Sequence, residues 1–591
     1  MCGIAGIMMR EGLPAKRETL NSLAAALAHR GPDGTGLFLE NHIGLLNTRL
    51  AIIDIAHGQQ PFTNEDGAVL VANGEIYNDP SLREELKKVR FSTGSDCETP
   101  LHLFATRGIG FAEDLRGMYG LALYDRAEDR LILCRDPYGI KQLYFVSTPD
   151  YFAFASEAQA LISAGLASST LIPRVQAELL QLQFSTGKDT IYADIKRVLP
   201  GQTLIIKDGQ ITESSRIRPN SRKPVSTTGD DYESLYQQLD KQLQETVRLH
   251  IRSDAPSGLF LSGGIDSSAL LTLMSRQSEQ PVVALTAAFP EFGAKDESDK
   301  ARAVAKAVAT EHILVNISAE DFFRSAPQIA SALDDPTADA SSVPIFLLAE
   351  AARARGLKVV LSGEGADELF GGYKRYRRAT WFFGLWRQKT RTRGVFSNLE
   401  APASLKGWRD GLAEAELAES VPGLSAIQTL QAIDCAEWLP NDLLVKLDRC
   451  LMAHGVEGRT PFLDPKLSPF GFYLPQDFKV KKGLGKWMLR DWVSRNTPGA
   501  DPWSKKQGFI PPIGIWIGQY KSRIEPLLRD HPAIAELSLQ SVVRHVYTDP
   551  AKYPQAAWSL LFYALWYSRH VLGMTTDGQV DDVLDSARLA A

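Results

Sequence analysis

Short apolar runs, alternating or continuous, dominate the first two hundred or so positions of the chain. GAVLVANGEIYN, YGLALYDRAEDRLILCRDPYG and QLYFVSTPDYFAFASE are rich in β-branched and aromatic residues and are punctuated by Gly, Asn and Asp, which predicts strands. LALYD and RLILCRD, joined by the polar RAEDR, read as a hairpin, and the region as an antiparallel sheet domain with a few helices. SSRIRPNSRKPVSTTGDD, from Ser214 to Asp231, breaks the pattern with Pro, Ser, Thr and Arg and no apolar periodicity. It divides an expected first domain, 1–213, from a second, 232–591, with 214–231 as linker.

Beyond that break YESLYQQLDKQLQETVRLHI is amphipathic at helical spacing. Apolar runs then end repeatedly in loops: GLFL before SGGIDSS, VVALTAAF before PEFG, and KVVL before SGEGADE. Each is followed by a helical pattern, so a βαβ arrangement around a parallel sheet is expected, with ligands at the carboxyl ends of its strands. The last two hundred or so residues read as mostly helical, and their most apolar stretch, AAWSLLFYALWY, is too short to span a bilayer. A chain of 591 residues also needs more than one core.

Composition narrows the class. With 44% hydrophobic and 23% charged residues and a net charge of −5, the chain has no general attraction for nucleic acid or an anionic membrane. The local exception, YKRYRRATWFFGLWRQKTRTRG, reads as a partly buried helix pair with solvated Lys and Arg. Cys2, Cys97, Cys134, Cys435 and Cys450 are odd in number and lack CxxC spacing, so neither a disulfide framework nor a zinc site is indicated. No secretory leader is visible, and a cytoplasmic location is expected.

Two segments carry candidate chemistry in the second half. In LFLSGGIDSSALL, Gly263 and Gly264 let the backbone approach a ligand, the helix start favours an anion, and the hydroxyls of Ser262, Ser267 and Ser268 add donors. The lysine of a Walker loop is missing. KVVLSGEGADELFGGY adds Glu364, Asp367 and Glu368, which beside bound triphosphate would hold Mg²⁺ or take a proton, and otherwise form a solvated turn. In KVKKGLGKWMLRDW, Lys486 is placed to neutralise departing pyrophosphate.

The other candidate lies at MCGIAGI. Removal of Met1 would leave Cys2 with both a thiol and a free α-amine, a base that needs no histidine partner. The short apolar GIAGI suits a buried strand, which would hold the amine and thiol toward Arg49 and Asn73. Asn73 and Gly74 in VANGEIYN offer oxyanion donors, although Asn-Gly is also a hairpin turn signal. Arg49, expected on a strand edge, suits a carboxylate, and Asp96 in TGSDCE suits an ammonium. Together these groups specify an α-amino acid with a side-chain acyl group, glutamine being the obvious one.

These motifs carry a resemblance. MCGIAGI, HRGPDG, RLAIID, NGEIYN, TGSD and RDPYGIKQLY resemble a class II (N-terminal nucleophile) glutamine amidotransferase domain. SGGIDSS resembles the pyrophosphate loop of ATP pyrophosphatases. With SGEGADELFGGY, LVKLDRCLMAHGVEGRTPFLD and the Lys486 region, it is similar to the synthetase domain of the glutamine-hydrolysing asparagine synthetase family. The likeness runs in order through nearly the whole chain.

The resemblance implies an antiparallel β-sheet sandwich with helices, followed by a parallel-sheet α/β domain with a helical C-terminal part. It implies attack by Cys2 on glutamine, with Asn73 and Gly74 as oxyanion donors. Arg49, Glu75 and Asp96 would hold glutamine, with the backbone of Leu50, Ala51, Ile52 and Ile53 lining its site, and ammonia would pass through an internal tunnel. ATP would meet Leu261, Ser262, Gly263, Gly264, Asp266, Ser267, Ala287, Ser362 and Gly363. Asp266 and Asp367 would handle Mg²⁺–pyrophosphate, Lys486 the phosphates, and Glu364 β-aspartyl-AMP formation and ammonia attack. Small-molecule substrates and a homodimer are the partners implied. LDDPTADASSVPIF departs from the best-known bacterial pattern, which leaves the acceptor carboxylate the least specified element, and Ala287 stands where a larger aliphatic residue is usual.

Overall fold

The computed structural model describes residues 2–219, 231–278, 281–290, 298–379, 390–400, 402–505 and 511–590. In chain order, strands β1 (Cys2–Met9), β2 (Gly34–Glu40), β3 (Ile43–Arg49), β4 (Phe62–Thr63), β5 (Val69–Ile76) and β6 (Gly117–Asp125) come first. They are followed by β7 (Arg130–Arg135), β8 (Tyr144–Ser147), β9 (Tyr151–Ala155), β10 (Lys196–Arg197), β11 (Gln202–Lys207) and β12 (Gln210–Arg216). Two antiparallel sheets result, in the orders β10-β8-β9-β1-β3-β2 and β12-β11-β7-β6-β5-β4. The expected hairpin is β6–β7, with Asp125 opposite Arg130.

Strand alternation sorts the side chains of this half. Ile4 and Met8 of β1, Ile43 and Leu45 of β3, and Val69 and Val71 of β5 meet in one buried cluster between the sheets. Ala5 and Ile7 face outward into the cluster that holds Leu20 and Leu23 of helix Arg17–Ala26. Leu70, Ala72 and Leu121 face outward on the other side, toward Leu101 and Phe104 of helix Thr99–Arg107. Burying one such Leu or Ile is worth roughly 1.5–3 kcal/mol. Both faces of β1, β3 and β5 are buried, so a one-residue slip would exchange the two rows and mismatch both packed faces, and the register is strongly specified.

β12 carries the chain through Arg216, and the next element, helix Tyr232–His250, opens with the Asp231 carboxylate accepting from Ser234 N–H at 2.7 Å. Of the segment between them, 220–230 lie outside the described residues. That helix buries Leu235, Leu239, Leu243 and Val247, the stripe its spacing calls for.

β13 (Ser257–Phe260), β14 (Val283–Ala288), β15 (Glu311–Asn316), β16 (Val359–Leu361) and β17 (Glu457–Arg459) pair in parallel in the order β15-β14-β13-β16-β17. The order reverses between β13 and β16, which opens a crevice at their carboxyl ends. β15 and β17 were not among the apolar runs read as strands.

The remainder is helical. Helix Pro554–His570, which contains the most apolar stretch, is buried among Ala319–Ala332 and Ile513–Arg529, with Trp558 and Trp566 wholly inaccessible. Among the described residues no helix is long and apolar enough to cross a membrane.

Buried ion pairs join the two halves: Arg116 to Asp464 at 2.8 Å, Arg197 to Asp335 at 2.6 Å, and Arg459 to Glu75 at 3.1 Å. Such pairs carry a desolvation cost comparable with their attraction, and removing one partner strands the other charge.

Candidate active sites

Cys2 opens β1 and sits opposite Arg49, the last residue of β3. On β5, Asn73 follows Val69 and Val71 on the inward face; on β3, Asn47 and Arg49 follow Ile43 and Leu45. Alternation thus brings Cys2, Arg49 and Asn73 to one end of the inter-sheet layer. The Cys2 backbone N–H donates to Asn73 Oδ1 at 3.0 Å, which leaves the Asn73 Nδ2 donor buried without a protein partner among the described residues. Met1, whose removal the sequence calls for, lies outside the described residues.

Asn73 and Gly74 do not form the hairpin turn that their sequence allows. They lie inside β5, paired with Gly120 and Tyr119 of β6. A Cβ on Gly74 would come within 2.1 Å of the Met118 carbonyl, so close strand approach demands glycine there.

Arg49 is the last residue of β3, an interior strand flanked by β1 and β2. Its guanidinium donates to the carbonyls of Ile53 at 3.2 Å, Asp54 at 2.6 Å and Ile55 at 3.0 Å, bracing the loop that follows Leu50, Ala51 and Ile52. The same loop is tied to the second half, with Asp254 N–H donating to Ile52 O at 3.0 Å and Asp54 N–H to Asp254 Oδ2 at 2.8 Å.

Asp96 Oδ2 accepts from Ile76 N–H at 2.6 Å, and burial pushes its carboxyl up to about 6. Burial likewise raises Glu75 well above the usual carboxylate range, with Arg459 opposing it.

Arg30, unassigned from sequence, donates through Nε to the Cys2 carbonyl at 3.1 Å and through Nη1 to Glu157 and Asp448, each at 2.8 Å. Asn47, also passed over, donates to the Ala72 carbonyl at 3.2 Å. A polar residue at an inward strand position was its one available signal. Cys97 donates its thiol to the Gly74 carbonyl at 3.2 Å.

The second site is a cavity of about 330 Å³ at the carboxyl ends of β13, β14 and β16, where the strand order reverses. Leu261, Ser262, Gly263, Gly264, Asp266, Ser267, Ala287, Ser362, Gly363, Glu364, Asp367 and Lys486 all line it. Gly263 has φ +71°, a conformation that favours glycine, and helix Ile265–Gln277 starts just after it. Ser262 N–H donates to Ser267 Oγ at 3.2 Å, and Gly264 N–H to Ser262 Oγ at 3.3 Å, closing the loop on itself. Ser268 departs from expectation: it is buried in the helix and is not part of the cavity lining.

Lys486 Nζ lies 2.6 Å from Asp266 Oδ2 and 2.7 Å from Asp367 Oδ1. Burial works against its charge, but Asp266 and then Asp367 outweigh it and hold the ammonium above its ordinary pKa. The acidic loop is therefore not a solvated turn. Glu368 is buried, accepts from Tyr373 Oη at 2.7 Å, and is pushed up to about 7, first by burial and then by Asp367.

The cavity also contains Asp339, Ser341, Tyr373 and Lys446, none of them singled out from sequence as site residues. Lys446 lies in LVKLDRCLMAHGVEGRTPFLD on helix Leu444–Met452, where a cation among apolar positions was a signal besides the motif itself.

Of the basic aromatic segment, 380–389 lie outside the described residues. In the described part Arg375 pairs with Asp434 at 2.7 Å and lies over the rings of Tyr373 at 4.2 Å and Trp438 at 4.5 Å, an internal use of the cation.

Comparison with known proteins agrees with both halves. Residues 1–216 match the glutamine amidotransferase domain family and residues 238–568 the asparagine synthase family. Asparagine synthetase 1 (glutamine-hydrolysing) of Bacillus subtilis is 30% identical over 97% of this chain and 97% of its own length. A putative glutamine-hydrolysing asparagine synthetase of Mycobacterium tuberculosis is 30% identical over 96% and 97%. Asparagine synthetase B of Escherichia coli is 27% identical over 88% and 84%. With the amidotransferase match preceding the synthase match in one polypeptide, the chain belongs to the glutamine-hydrolysing asparagine synthetase family.

Proposed function

We propose that the chain amidates the β-carboxylate of L-aspartate to give L-asparagine, using ATP and the ammonia released from glutamine. Residues 1–213 carry glutamine hydrolysis and 232–591 the synthetase chemistry, with 214–231 between them.

At the first site the Cys2 thiol adds to the side-chain amide carbon of glutamine and passes its proton to the Cys2 α-amine, once Met1 is removed. Asn73 Nδ2 and the Gly74 N–H take the oxyanion. The amine returns the proton as ammonia leaves, and water cleaves the thioester to glutamate. Arg49 holds the glutamine carboxylate, Asp96 its ammonium, and Glu75 with the Leu50–Ile53 backbone completes the site.

At the second site an aspartate β-carboxylate oxygen attacks the α-phosphorus of ATP and pyrophosphate leaves. Ammonia then displaces AMP from β-aspartyl-AMP, with Glu364 receiving the surplus proton. Leu261, Ala287, Ser362 and Gly363 contact the nucleotide; Ser262, Gly263, Gly264 and Ser267 take its phosphates, and Lys486 offsets the charge of the leaving pyrophosphate.

Asp266 and Asp367 converge on Lys486 Nζ, which puts two hard oxygen donors beside the phosphate loop. One or two carboxylates, completed by phosphate oxygens, suit Mg²⁺. When bound, that ion supplies charge neutralisation at the phosphates.

The observation that carries this reading is that one chain holds an inward cluster of Cys2, Arg49 and Asn73 and, across buried ion pairs, a glycine-lined cavity containing Asp266, Asp367 and Lys486. An acceptor screen with AMP release as readout tests it. L-Aspartate should stimulate AMP formation with glutamine or ammonia as nitrogen source. Stimulation by another carboxylate, with aspartate at background, would sink the aspartate assignment.

A further inference from the structure

The segment Leu333–Phe346 works at both ends. Asp334 and Asp335 bind Arg449 and Arg197 in the buried layer between the halves, at 2.7 and 2.6 Å. A few residues on, Asp339 and Ser341 reach the synthetase cavity and meet Lys446 from helix Leu444–Met452. Lys446 Nζ binds Asp339 Oδ2 and lies 2.6 Å from Ser341 Oγ, while Ser341 N–H donates to the other Asp339 oxygen at 2.9 Å. The Lys446 side chain is 2% exposed and that of Asp339 is 27% exposed, so the aspartate is the open member of the pair.

Two further cations of the cavity, Lys486 and Arg490, are committed elsewhere. Lys486 bridges Asp266 and Asp367, and Arg490 donates to the carbonyls of Gly485, Pro502 and Ser504. Lys446 is held charged by Asp339 and then Asp442 against the effect of burial.

An acceptor activated through its side-chain carboxylate still presents an α-ammonium and an α-carboxylate. A site that binds both must offer one fixed charge of each sign, close together, and must satisfy those charges when no acceptor is present. We propose that Asp339 and Lys446 are the acceptor-recognition pair, Asp339 taking the α-ammonium and Lys446, with Ser341, the α-carboxylate of an amino-acid acceptor. The resting ion pair opens to admit a zwitterion and trades one salt bridge for two. A dicarboxylate without the amine would leave Asp339 beside a carboxylate, so the pair also selects against it. This inference rests on the amidation reading.

The test measures AMP release by the full-length protein with aspartate and with succinate, for the unaltered chain, Lys446→Met and Asp339→Asn; melting temperature controls for folding. Asp339→Asn keeps the shape of the side chain, so it stands if Lys446→Met fails to fold. Loss of one charge-assisted contact should raise the aspartate KM about 10- to 100-fold while the ATP KM moves little. Asp339→Asn should also cut the preference for aspartate over succinate at least about tenfold. An aspartate KM within about threefold of the unaltered chain in the folded variants, or aspartate and ATP KM rising together, overturns the recognition role. Background AMP release with aspartate by the unaltered chain overturns the amidation reading, and this inference with it, before any variant is measured.

Discussion

Arg30 and Asp448 lie 418 positions apart and form an ion pair at 2.8 Å with both side chains inaccessible to solvent, while Arg30 Nε holds the Cys2 carbonyl at 3.1 Å. Asp448 sits two residues beyond Lys446 on helix Leu444–Met452. One helix therefore touches the support of the first site and the wall of the second.

Asp448→Asn should lower stability by about 3–5 kcal/mol, because Arg30 would keep its charge in a dry layer with Glu157 as its remaining carboxylate partner. Denaturant unfolding measures the loss. Glutamine hydrolysis should weaken in the same variant as the Arg30 brace on Cys2 loosens.

Asn73→Ala removes the buried Nδ2 donor beside Cys2. Glutamine hydrolysis should fall about 10²- to 10³-fold in kcat with a smaller change in KM, since the contact strengthens as the oxyanion forms. An equal loss in KM alone would reassign Asn73 to ground-state binding.

Cys2→Ser and Glu364→Gln should separate the two chemistries. The first should abolish glutamine-dependent synthesis and retain synthesis from ammonia; the second should retain glutamine hydrolysis and suppress synthesis. Simultaneous loss of both nitrogen sources in Cys2→Ser would refute the two-site assignment.

Asp96 should set an acid limb for glutamine use. Burial pushes its carboxyl up to about 6, and in the role proposed for it the ionised form holds the substrate ammonium, so kcat/KM for glutamine should fall as pH drops through about 6. Asp96→Asn should lower kcat/KM and remove that limb. The stability effect has the opposite sign. The folded state keeps a proton that an unfolded aspartate sheds near pH 4, so this contribution favours folding at low pH and is lost as pH rises from about 4 to about 6.

The sequence by itself determined what depends on local spacing. Alternation placed the sandwich strands, and the SGGIDSS and SGEGADE loops marked the carboxyl ends of β13 and β16. Side-chain period and backbone freedom are properties of a few neighbouring residues, so they survive in the linear order.

Only the tertiary structure decided that Asn-Gly lies inside β5 rather than in a turn, that Ser268 is buried, and that Arg49 ends an interior strand. It alone showed that the charged Glu457–Arg459 forms a strand whose arginine reaches Glu75. The pairs Arg30–Asp448 and Asp339–Lys446 belong to the same class. An isolated charge in a sequence reads as surface, because burial is favourable only once its partner, here about a hundred to four hundred residues away, has been folded against it.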